Sequence, residues 1–251
     1  MSKKRSSDSK YSTKKIQQMH ESGLPQDPEF WSQIPNWEKK EELELLFDKK
    51  DWIDAKAVYS EHDLIILGES VMEDWESPYM QVLARIAAEK GGTILELGFG
   101  MGIASRFIQE YNIVKHIIIE ANRHVAEMAR KFAASSVCEV EILEGFWEDL
   151  IETIPDNSID GILFDTYPLE VAELYQNHFK FFPFAYKKLK MGGVFTYYSD
   201  EIDGFSEVHL RNLLSAGFKQ ANITSEVVPI TPPRGCVYWK ANTILAPIVR
   251  K

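Results

Sequence analysis

A glycine-rich turn between an apolar run and a predicted helix constrains the fold of this chain more than any other feature. The apolar run covers 93–97, and the turn that follows contains Gly98, Gly100 and Gly102. A strand, a glycine-rich turn and a helix in this order form the first unit of a Rossmann-like sheet, where the backbone comes close to a nucleotide-containing cofactor. The sequence therefore predicts an α/β fold with a cofactor site at this turn.

The spacing of the glycines distinguishes between classes of cofactor. A dinucleotide fingerprint needs glycine at its first, third and sixth positions, which here are Gly98, Gly100 and Ile103. The acid Glu96 precedes the glycines, so the pattern is Glu-x-Gly-x-Gly-x-Gly. Such a loop suits a cofactor that has no pyrophosphate and carries a charged amino-acid tail. S-adenosylmethionine fits this description better than NAD does.

Two further apolar runs end in polar residues that are placed to line the same crevice. The run 116–119 ends in Glu120, about twenty residues beyond the glycines, where an acid can accept hydrogen bonds from a ribose diol. Asn122 follows closely. After the run 140–143 come Trp147 and Glu148, which are placed to flank an adenine ring and its amino group. The alternatives are a solvated acid at a strand end and a tryptophan that belongs to the core.

The fourth apolar run, 160–164, leads directly into Asp165. In open α/β sheets, ligands bind outside the carboxyl ends of the strands, so Asp165 is predicted to lie where the substrate meets the cofactor. The alternative is an aspartate that caps a helix or forms a turn. The next strand, 192–198, ends at Ser199, which is followed by two acids.

Composition limits the classes of function. The chain has 251 residues, of which 45% are hydrophobic, and this predicts one substantial domain with an N-terminal extension. A formal net charge of −10 argues against binding to nucleic acid. The two cysteines and six histidines lack metal-ligand spacing, and no apolar stretch is long enough to span a membrane. We therefore expect a cytoplasmic protein with no metal site.

The sequence predicts three regions. Residues 1–25, rich in lysine and serine, are predicted to be a disordered tail. Residues 26–70, where tryptophans stand among many charges, are predicted to be an extension or lid, with helical character over 41–47. Residues 71–251 are predicted to be the main domain.

The predicted elements of the main domain indicate its topology. One helix is predicted to follow Ser77 as N-cap, with Pro78 at its first position, and another covers 206–215. Two β-prone runs, 223–230 and 237–249, form a closing hairpin. Alternating strands and helices followed by such a hairpin predict a Rossmann-like class I methyltransferase fold, with a seven-stranded, mostly parallel sheet and helices on both faces.

Four segments resemble guanidinoacetate N-methyltransferase: 71–80 (Val-Met-Glu-Asp-Trp-Glu-Ser-Pro-Tyr-Met), 96–101, 145–149 and 160–168, which ends in Asp-Thr-Tyr-Pro. The similarity extends from about Trp52 to the end of the chain. The resemblance implies S-adenosylmethionine as the methyl donor and a guanidino nitrogen as the acceptor. It also implies two acids that bind the substrate, Glu76 and Asp165.

The same resemblance implies a set of cofactor contacts, in which Met72 and Met80 have core packing as their alternative role. Together with Glu96 and Gly98 of the glycine loop, the implied set is Trp52, Met72, Met80, Phe99, Gly100, Met101, Gly102, Ile103, Ala104, Glu120, Ala121, Asn122, Trp147, Glu148 and Asp165.

One departure from the family concerns the acceptor. The backbone that holds the substrate carboxylate in the family corresponds here to Asp200 and Glu201, and two acids suit an ammonium group better than a carboxylate. These acids are predicted to bind the substrate, with a solvent-exposed role as the alternative. Arginine or another cationic guanidine therefore stands beside guanidinoacetate as a candidate.

The chemistry assigns a role to each acid. A guanidinium has a pKa above about 12 and no free lone pair at neutral pH. Glu76 is predicted to hold two of its N–H groups, and Asp165 to accept the proton of the reacting nitrogen. We expect a small-molecule acceptor and a monomer or homodimer. A protein-arginine substrate and a non-catalytic regulator that binds S-adenosylmethionine are the alternatives.

Overall fold

The computed structural model describes residues 46–170, 173–236 and 238–251. The predicted tail over 1–25 lies outside the described residues, as do residues 26–45 of the predicted extension and most of the predicted helical stretch over 41–47. The division of the chain into three regions therefore stays a prediction.

The described part begins with a short helix and a small antiparallel sheet. Their bounds are α1 (Lys49–Asp54), β1 (Ala57–Tyr59), β2 (Asp63–Ile66) and β3 (Glu69–Glu73). The middle strand, β2, buries every second residue, Leu64 and Ile66. This alternation is typical of a sheet with one face turned toward a core. The strand β3 runs across the boundary that the sequence predicts after residue 70.

Seven strands form the central sheet. Their bounds are β4 (Gly92–Leu97), β5 (Ile113–Glu120), β6 (Glu139–Glu144), β7 (Ile159–Phe164), β8 (Leu189–Tyr197), β9 (Ile223–Pro229) and β10 (Thr243–Arg250). Their spatial order is β6-β5-β4-β7-β8-β10-β9. The first five strands in this order are parallel, and β10 is antiparallel to both of its neighbours. The predicted seven-stranded, mostly parallel sheet is confirmed.

Helices cover both faces of this sheet, as the sequence predicts. The main ones are α2 (Ser77–Ala88), α3 (Ile103–Ile108), α4 (Arg123–Ser135), α5 (Trp147–Leu150), α6 (Phe182–Lys188) and α7 (Glu207–Ser215). Short 3-10 helices lie at Asp74–Glu76, Ile151–Thr153, Asn177–Phe181 and Gln220–Asn222. On one face α2, α3 and α4 pack against Ile94 and Leu163, and on the other α6 and α7 pack against Leu95 and Phe164. Consecutive residues of a strand, such as Ile94 and Leu95, contribute to opposite faces of the sheet because side chains alternate along a strand.

Two element boundaries differ from the predictions. The helix α2 already includes Ser77, and its N-cap is Glu76. The last strand begins at Thr243 and not at 237. The segment between β9 and β10 contains Pro232 and Pro233, which have no N–H to donate to a neighbouring strand. The described residues between the two strands contain no strand, and Tyr238 and Trp239 among them line the cavity described below.

Two further observations concern the cysteines and the helices. Cys138 is partly buried and Cys236 is buried, and both are free thiols. Within the described ranges, no helix combines the length and the apolar character that crossing a bilayer requires.

Candidate active site

A cavity of about 740 Å³ lies at the carboxyl ends of the parallel strands. Residues that follow β4, β5, β6, β7 and β8 form one side of it, and residues of α1 and the small sheet form the other. This volume is typical of small-molecule sites, and this edge is where open α/β sheets bind ligands. The cavity is therefore the candidate active site.

The structure brings most of the predicted site residues to this cavity. Those that line it are Trp52, Met72, Glu76, Gly98, Gly100, Glu120, Ala121, Trp147, Glu148, Asp165 and Asp200. The predicted residues that are not part of the lining are Met80, Glu96, Phe99, Met101, Gly102, Ile103, Ala104, Asn122 and Glu201. Phe99 and Met101 to Ala104 belong to the same turn and the helix after it, so they lie directly behind the lining.

The glycine turn brings the backbone to the cavity wall in a conformation that excludes side chains. Gly98 has φ +87° and Gly100 has φ +54°, both in the left-handed region. A Cβ at Gly98 would lie 1.9 Å from the carbonyl oxygen of Asp165, and one at Gly100 would lie 2.8 Å from Met72 Sδ. Met72 also accepts a hydrogen bond from Met101 N (3.3 Å), so it supports the turn from below.

Gly98→Ala is expected to destabilise the fold by roughly 3 kcal/mol or more, because the new methyl group meets backbone as well as an unfavourable φ. Gly68→Ala is a matched control, since Gly68 has φ +89° with no atom within 4 Å of a Cβ. The control should cost only about 1 kcal/mol. Chemical denaturation of both variants measures the difference, and an equal loss in both would show that the contact with Asp165 is unimportant.

Glu120 ends β5 with its side chain buried beside the glycine turn. Its carboxylate accepts hydrogen bonds from Phe99 N (2.9 Å) and Asn122 N (2.8 Å). Burial raises the pKa of Glu120 although these donors lower it. The acid thus holds the turn in place through these hydrogen bonds and also lies in the cavity lining.

Three predicted cofactor residues make contacts within the scaffold. Asn122 is fully buried, donates to Trp52 O (2.7 Å) and Ala55 O (2.9 Å), and caps α4. Glu96 lies below the turn, where it accepts a hydrogen bond from Ser105 Oγ (2.5 Å). Met80 is fully buried within α2, which is the core role that its helical position also allowed.

Aromatic side chains form much of the cavity wall near α1. The ring of Trp52 stacks on Tyr167, with ring centroids 5.1 Å apart and planes 14° apart. Trp147 contacts the rings of Phe164, Phe181 and Phe184 edge to face, so it is held by the core and also lines the cavity. Flat apolar surfaces of this kind suit an adenine ring.

The two predicted catalytic acids both line the cavity; Glu76 is buried and Asp165 is partly buried. Burial, followed by the nearby charge of Glu96, raises the pKa of Asp165 to about 7. Burial raises the pKa of Glu76 to about 8, with Asp165 contributing in the same direction. In the part of the chain that the structure describes, neither acid forms an ion pair with a basic side chain.

Asp200 and Glu201 are adjacent in sequence but have different environments. Asp200 has φ +56° and lines the cavity, and burial followed by the charge of Asp165 raises its pKa to about 8. Glu201 lies outside the lining and accepts hydrogen bonds from Ser206 N (2.9 Å) and His209 Nδ1 (3.2 Å). Burial raises the pKa of Glu201, but these hydrogen bonds outweigh it and lower the value. The structure therefore brings one acid of this pair to the cavity and not the other.

Comparison with models of protein families identifies the family of this chain. The model of guanidinoacetate N-methyltransferase matches residues 47–251, which include every lining residue named so far. The chain belongs to the guanidinoacetate N-methyltransferase family. The family match supports S-adenosylmethionine as the cofactor, as the sequence predicts. The residues present fit that cofactor, because the bare glycine backbone and the buried Glu120 carboxylate lie side by side in the cavity.

Curated relatives of this family member carry another name. Protein arginine N-methyltransferase 2 of Candida glabrata is 30% identical over 161 residues, which are 61% of this chain and 38% of the relative. The protein of that name from Saccharomyces cerevisiae is 32% identical over 139 residues, 52% of this chain and 33% of the relative. The chain thus spans little more than a third of the length of these relatives.

Solved structures share the fold at low sequence identity. Spermidine synthase from Thermotoga maritima has a TM-score of 0.54 and 18% identity, over 78% of this chain and 72% of that chain. TYW2 of M. jannaschii in complex with AdoMet has a TM-score of 0.51 and 13% identity, over 78% of this chain and 84% of that chain. These likenesses concern the fold alone.

Sequence reasoning assigned no role to several residues that line the cavity. Tyr167 and Tyr198 follow β7 and β8, and Tyr238 comes from the loop before β10. The buried hydroxyl of Tyr198 has no hydrogen-bond partner among the described residues, whereas that of Tyr238 contacts Glu76. Tyr167 stands within a quoted motif, but no sequence pattern points to Tyr238, which lies far along the chain from the acid that it contacts.

Proposed function

We propose that the protein transfers the methyl group of S-adenosylmethionine to a guanidino nitrogen of a small molecule, either guanidinoacetate or an arginine-like guanidine. The observation that supports this is the pair of carboxyl groups, Glu76 buried and Asp165 partly buried, in the cavity that also contains the glycine turn. Two anions in such a cavity, without a cationic side chain as partner among the described residues, are costly unless a cation binds between them. A guanidinium is a flat cation of suitable shape.

The proposed mechanism divides the chemistry between the two acids. The sulfonium of S-adenosylmethionine supplies an electrophilic methyl group when it is bound. Glu76 holds the plane of the guanidinium by accepting two of its N–H groups. As the N–C bond forms and the S–C bond breaks, the proton of the reacting nitrogen passes to Asp165. Positioning of the nitrogen in line with the breaking bond lowers the barrier further.

The raised pKa values of the two acids agree with this role. A base acts most effectively when its pKa lies near the working pH, and that of Asp165 is raised to about 7 by burial. An approaching guanidinium stabilises both carboxylates, so the acids ionise as the acceptor binds. No covalent intermediate is needed.

An acceptor screen tests the proposal. The protein is incubated with methyl-labelled cofactor and, separately, with guanidinoacetate, arginine, agmatine and guanidinobutyrate, and mass analysis identifies the methylated nitrogen and counts the methyl groups. Transfer to at least one free guanidine supports the proposal. Absence of transfer to all four would contradict it.

A protein-arginine acceptor is the second candidate, because the relatives reported above are named protein arginine N-methyltransferase 2. The same two acids would serve a guanidino group at the end of an arginine side chain. Arginine-containing peptides in the same screen separate this candidate from the first. A protein that binds the cofactor but methylates neither class would instead be a non-catalytic regulator.

Asp200→Asn is expected to raise the preference for guanidinoacetate over agmatine by roughly tenfold. In an assay at pH 9, above the pKa of Asp200, which burial raises to about 8, its carboxylate lies in the cavity beside neutral His178, so it repels an acceptor carboxylate and attracts a cationic tail. Such a change is about 1.4 kcal/mol, the size expected for one partly screened charge pair. The ratio of kcat/KM for the two acceptors measures it.

Glu201→Gln is the matched control for this change, since the neighbouring acid is bound to Ser206 and His209 outside the cavity lining. Its ratio of kcat/KM values should stay within about twofold of the original protein. If Glu201→Gln shifts the preference as strongly as Asp200→Asn, or if neither does, the assignment of Asp200 to the acceptor tail is wrong.

A further inference from the structure

Tyr238 contacts the acceptor-binding acid from the loop between β9 and β10. Its hydroxyl lies 2.5 Å from Glu76 Oε1 and 3.0 Å from Glu73 Oε2. Its ring packs against Trp75, with ring centroids 5.8 Å apart, and Trp75 Nε1 donates to Glu73 Oε2 (2.7 Å). One phenol is thus held between two carboxylates.

The single proton of the Tyr238 hydroxyl determines which carboxylate accepts its hydrogen bond. A tyrosine hydroxyl has one proton, so it can donate to only one of the two carboxylates at a time. The distance to Glu76 is the shorter one, and burial together with the charge of Glu76 raises the pKa of Tyr238. The phenol therefore stays protonated and donates to Glu76.

Both hydrogen bonds to Glu76 end on the same oxygen. Oε1 accepts from Tyr238 and from Glu73 N (3.2 Å), so the carboxylate is held at two points on one side. Among the residues that the structure describes, Oε2 has no hydrogen-bond donor. This oxygen is therefore available to an N–H group of a ligand in the cavity, and its direction is fixed before the ligand arrives.

We infer that Tyr238 is a positioning residue for the acceptor, whose hydroxyl orients Glu76 and favours its charged form. The inference rests on the proposed function, because it assigns Tyr238 a role through the acid that binds the guanidino group. Tyr238 itself does not have to touch the acceptor.

The electrostatic balance at Glu76 shows why such a donor matters. Burial raises the pKa of Glu76, and the charges of Asp165 and Glu73 act in the same direction. The hydrogen bonds from Tyr238 and Glu73 N lower it. The other titratable groups near this pair are Cys236 and Tyr198. Without the phenol, a larger fraction of Glu76 is protonated at neutral pH, and a neutral carboxyl group does not pair with a guanidinium.

Kinetics of Tyr238→Phe test the inference with the full-length protein. The KM for the guanidine should rise roughly tenfold, the size of one hydrogen bond to a charged group. The acid limb of its kcat/KM profile should move to higher pH by about one unit. The Kd for S-adenosylmethionine should not change. Tyr186→Phe is the control, since Tyr186 packs on Phe218 away from the cavity. It should change neither the KM for the guanidine nor the pH of the acid limb.

A second measurement does not depend on turnover. Carbon-13 labelling of glutamate carboxyl groups gives the pKa of Glu76 by NMR titration, with the resonance assigned by its absence in Glu76→Gln. Tyr238→Phe should raise this pKa, because a donor is lost. Glu73→Gln should lower it, because a neighbouring negative charge is lost. Opposite shifts are not expected if both residues only support the fold.

The outcomes separate the two claims. If no guanidine is methylated, the proposed function fails, but the NMR titration still decides whether Tyr238 controls Glu76. An unchanged pKa of Glu76 in Tyr238→Phe overturns the inference. An equal loss of acceptor and cofactor affinity also overturns it, because that pattern indicates a general disturbance of the cavity.

Discussion

Asp165→Asn is expected to lower kcat by about a thousandfold or more while leaving the affinity for S-adenosylmethionine almost unchanged. An asparagine cannot accept the proton that must leave the guanidino nitrogen, and removal of a general base costs about 10²–10⁴-fold. The loss of one of the two anions that hold the acceptor adds to this effect. Single-turnover transfer of labelled methyl groups at saturating cofactor measures the rate.

Asp149→Asn is the control for this loss, because Asp149 is exposed on α5 and lies outside the cavity lining. It should keep the original rate within about twofold. A rate for Asp165→Asn within tenfold of the original protein would exclude Asp165 as the proton acceptor.

Unfolding of the Asp165→Asn variant would also abolish its activity. The raised pKa of Asp165 argues against this explanation. Burial raises the pKa in the folded state to about 7, from a value near 3.8, so the folded protein binds more protons than the unfolded chain between these values. The contribution of Asp165 to stability is then fully present below pH about 4 and is lost as the pH rises through about 7. Asparagine has no proton to lose, so the variant does not lose stability at this site as the pH rises. At pH 8 the variant should therefore unfold at the same temperature as the original protein or at a higher one.

The sheet and the glycine turn could be predicted because both depend on local sequence. The runs that became β4, β5 and β7 are mostly apolar, which is typical of strands buried on both faces. The turn at Gly98 needs a left-handed backbone with no Cβ, and glycine is the residue that allows it. The topology then placed Asp165 at the cavity, since the carboxyl ends of parallel strands meet at one edge.

The side-chain directions in the site could not be predicted, because they depend on contacts far along the chain. Met72 and Met80 are equivalent in sequence, yet β3 carries Met72 under the glycine turn, whereas α2 directs Met80 into the core. Asp200 reaches the cavity from a left-handed backbone, and Glu201 is bound by α7. No pattern in the sequence distinguishes the two members of either pair.

Glu76→Gln is expected to weaken binding of the guanidino acceptor by about a hundredfold and to leave binding of S-adenosylmethionine unchanged. The glutamine cannot supply the charge of a bidentate pair, and truncation of such a buried pair costs about 2–5 kcal/mol. Its amide N–H₂ also places donors against the donors of the guanidinium. Calorimetric titration with each ligand measures the two affinities separately.

Asp74→Asn provides the matched control, because Asp74 lies in the same 3-10 helix with its side chain 49% exposed and bonded to His62. This variant should bind both ligands with affinities within about twofold of the original protein. Two results would remove Glu76 from the acceptor site: acceptor binding in Glu76→Gln that equals that of the control, or a loss of cofactor affinity as large as the loss for the acceptor. The second result would mean that the buried carboxylate supports the shape of the cavity and does not bind a cation.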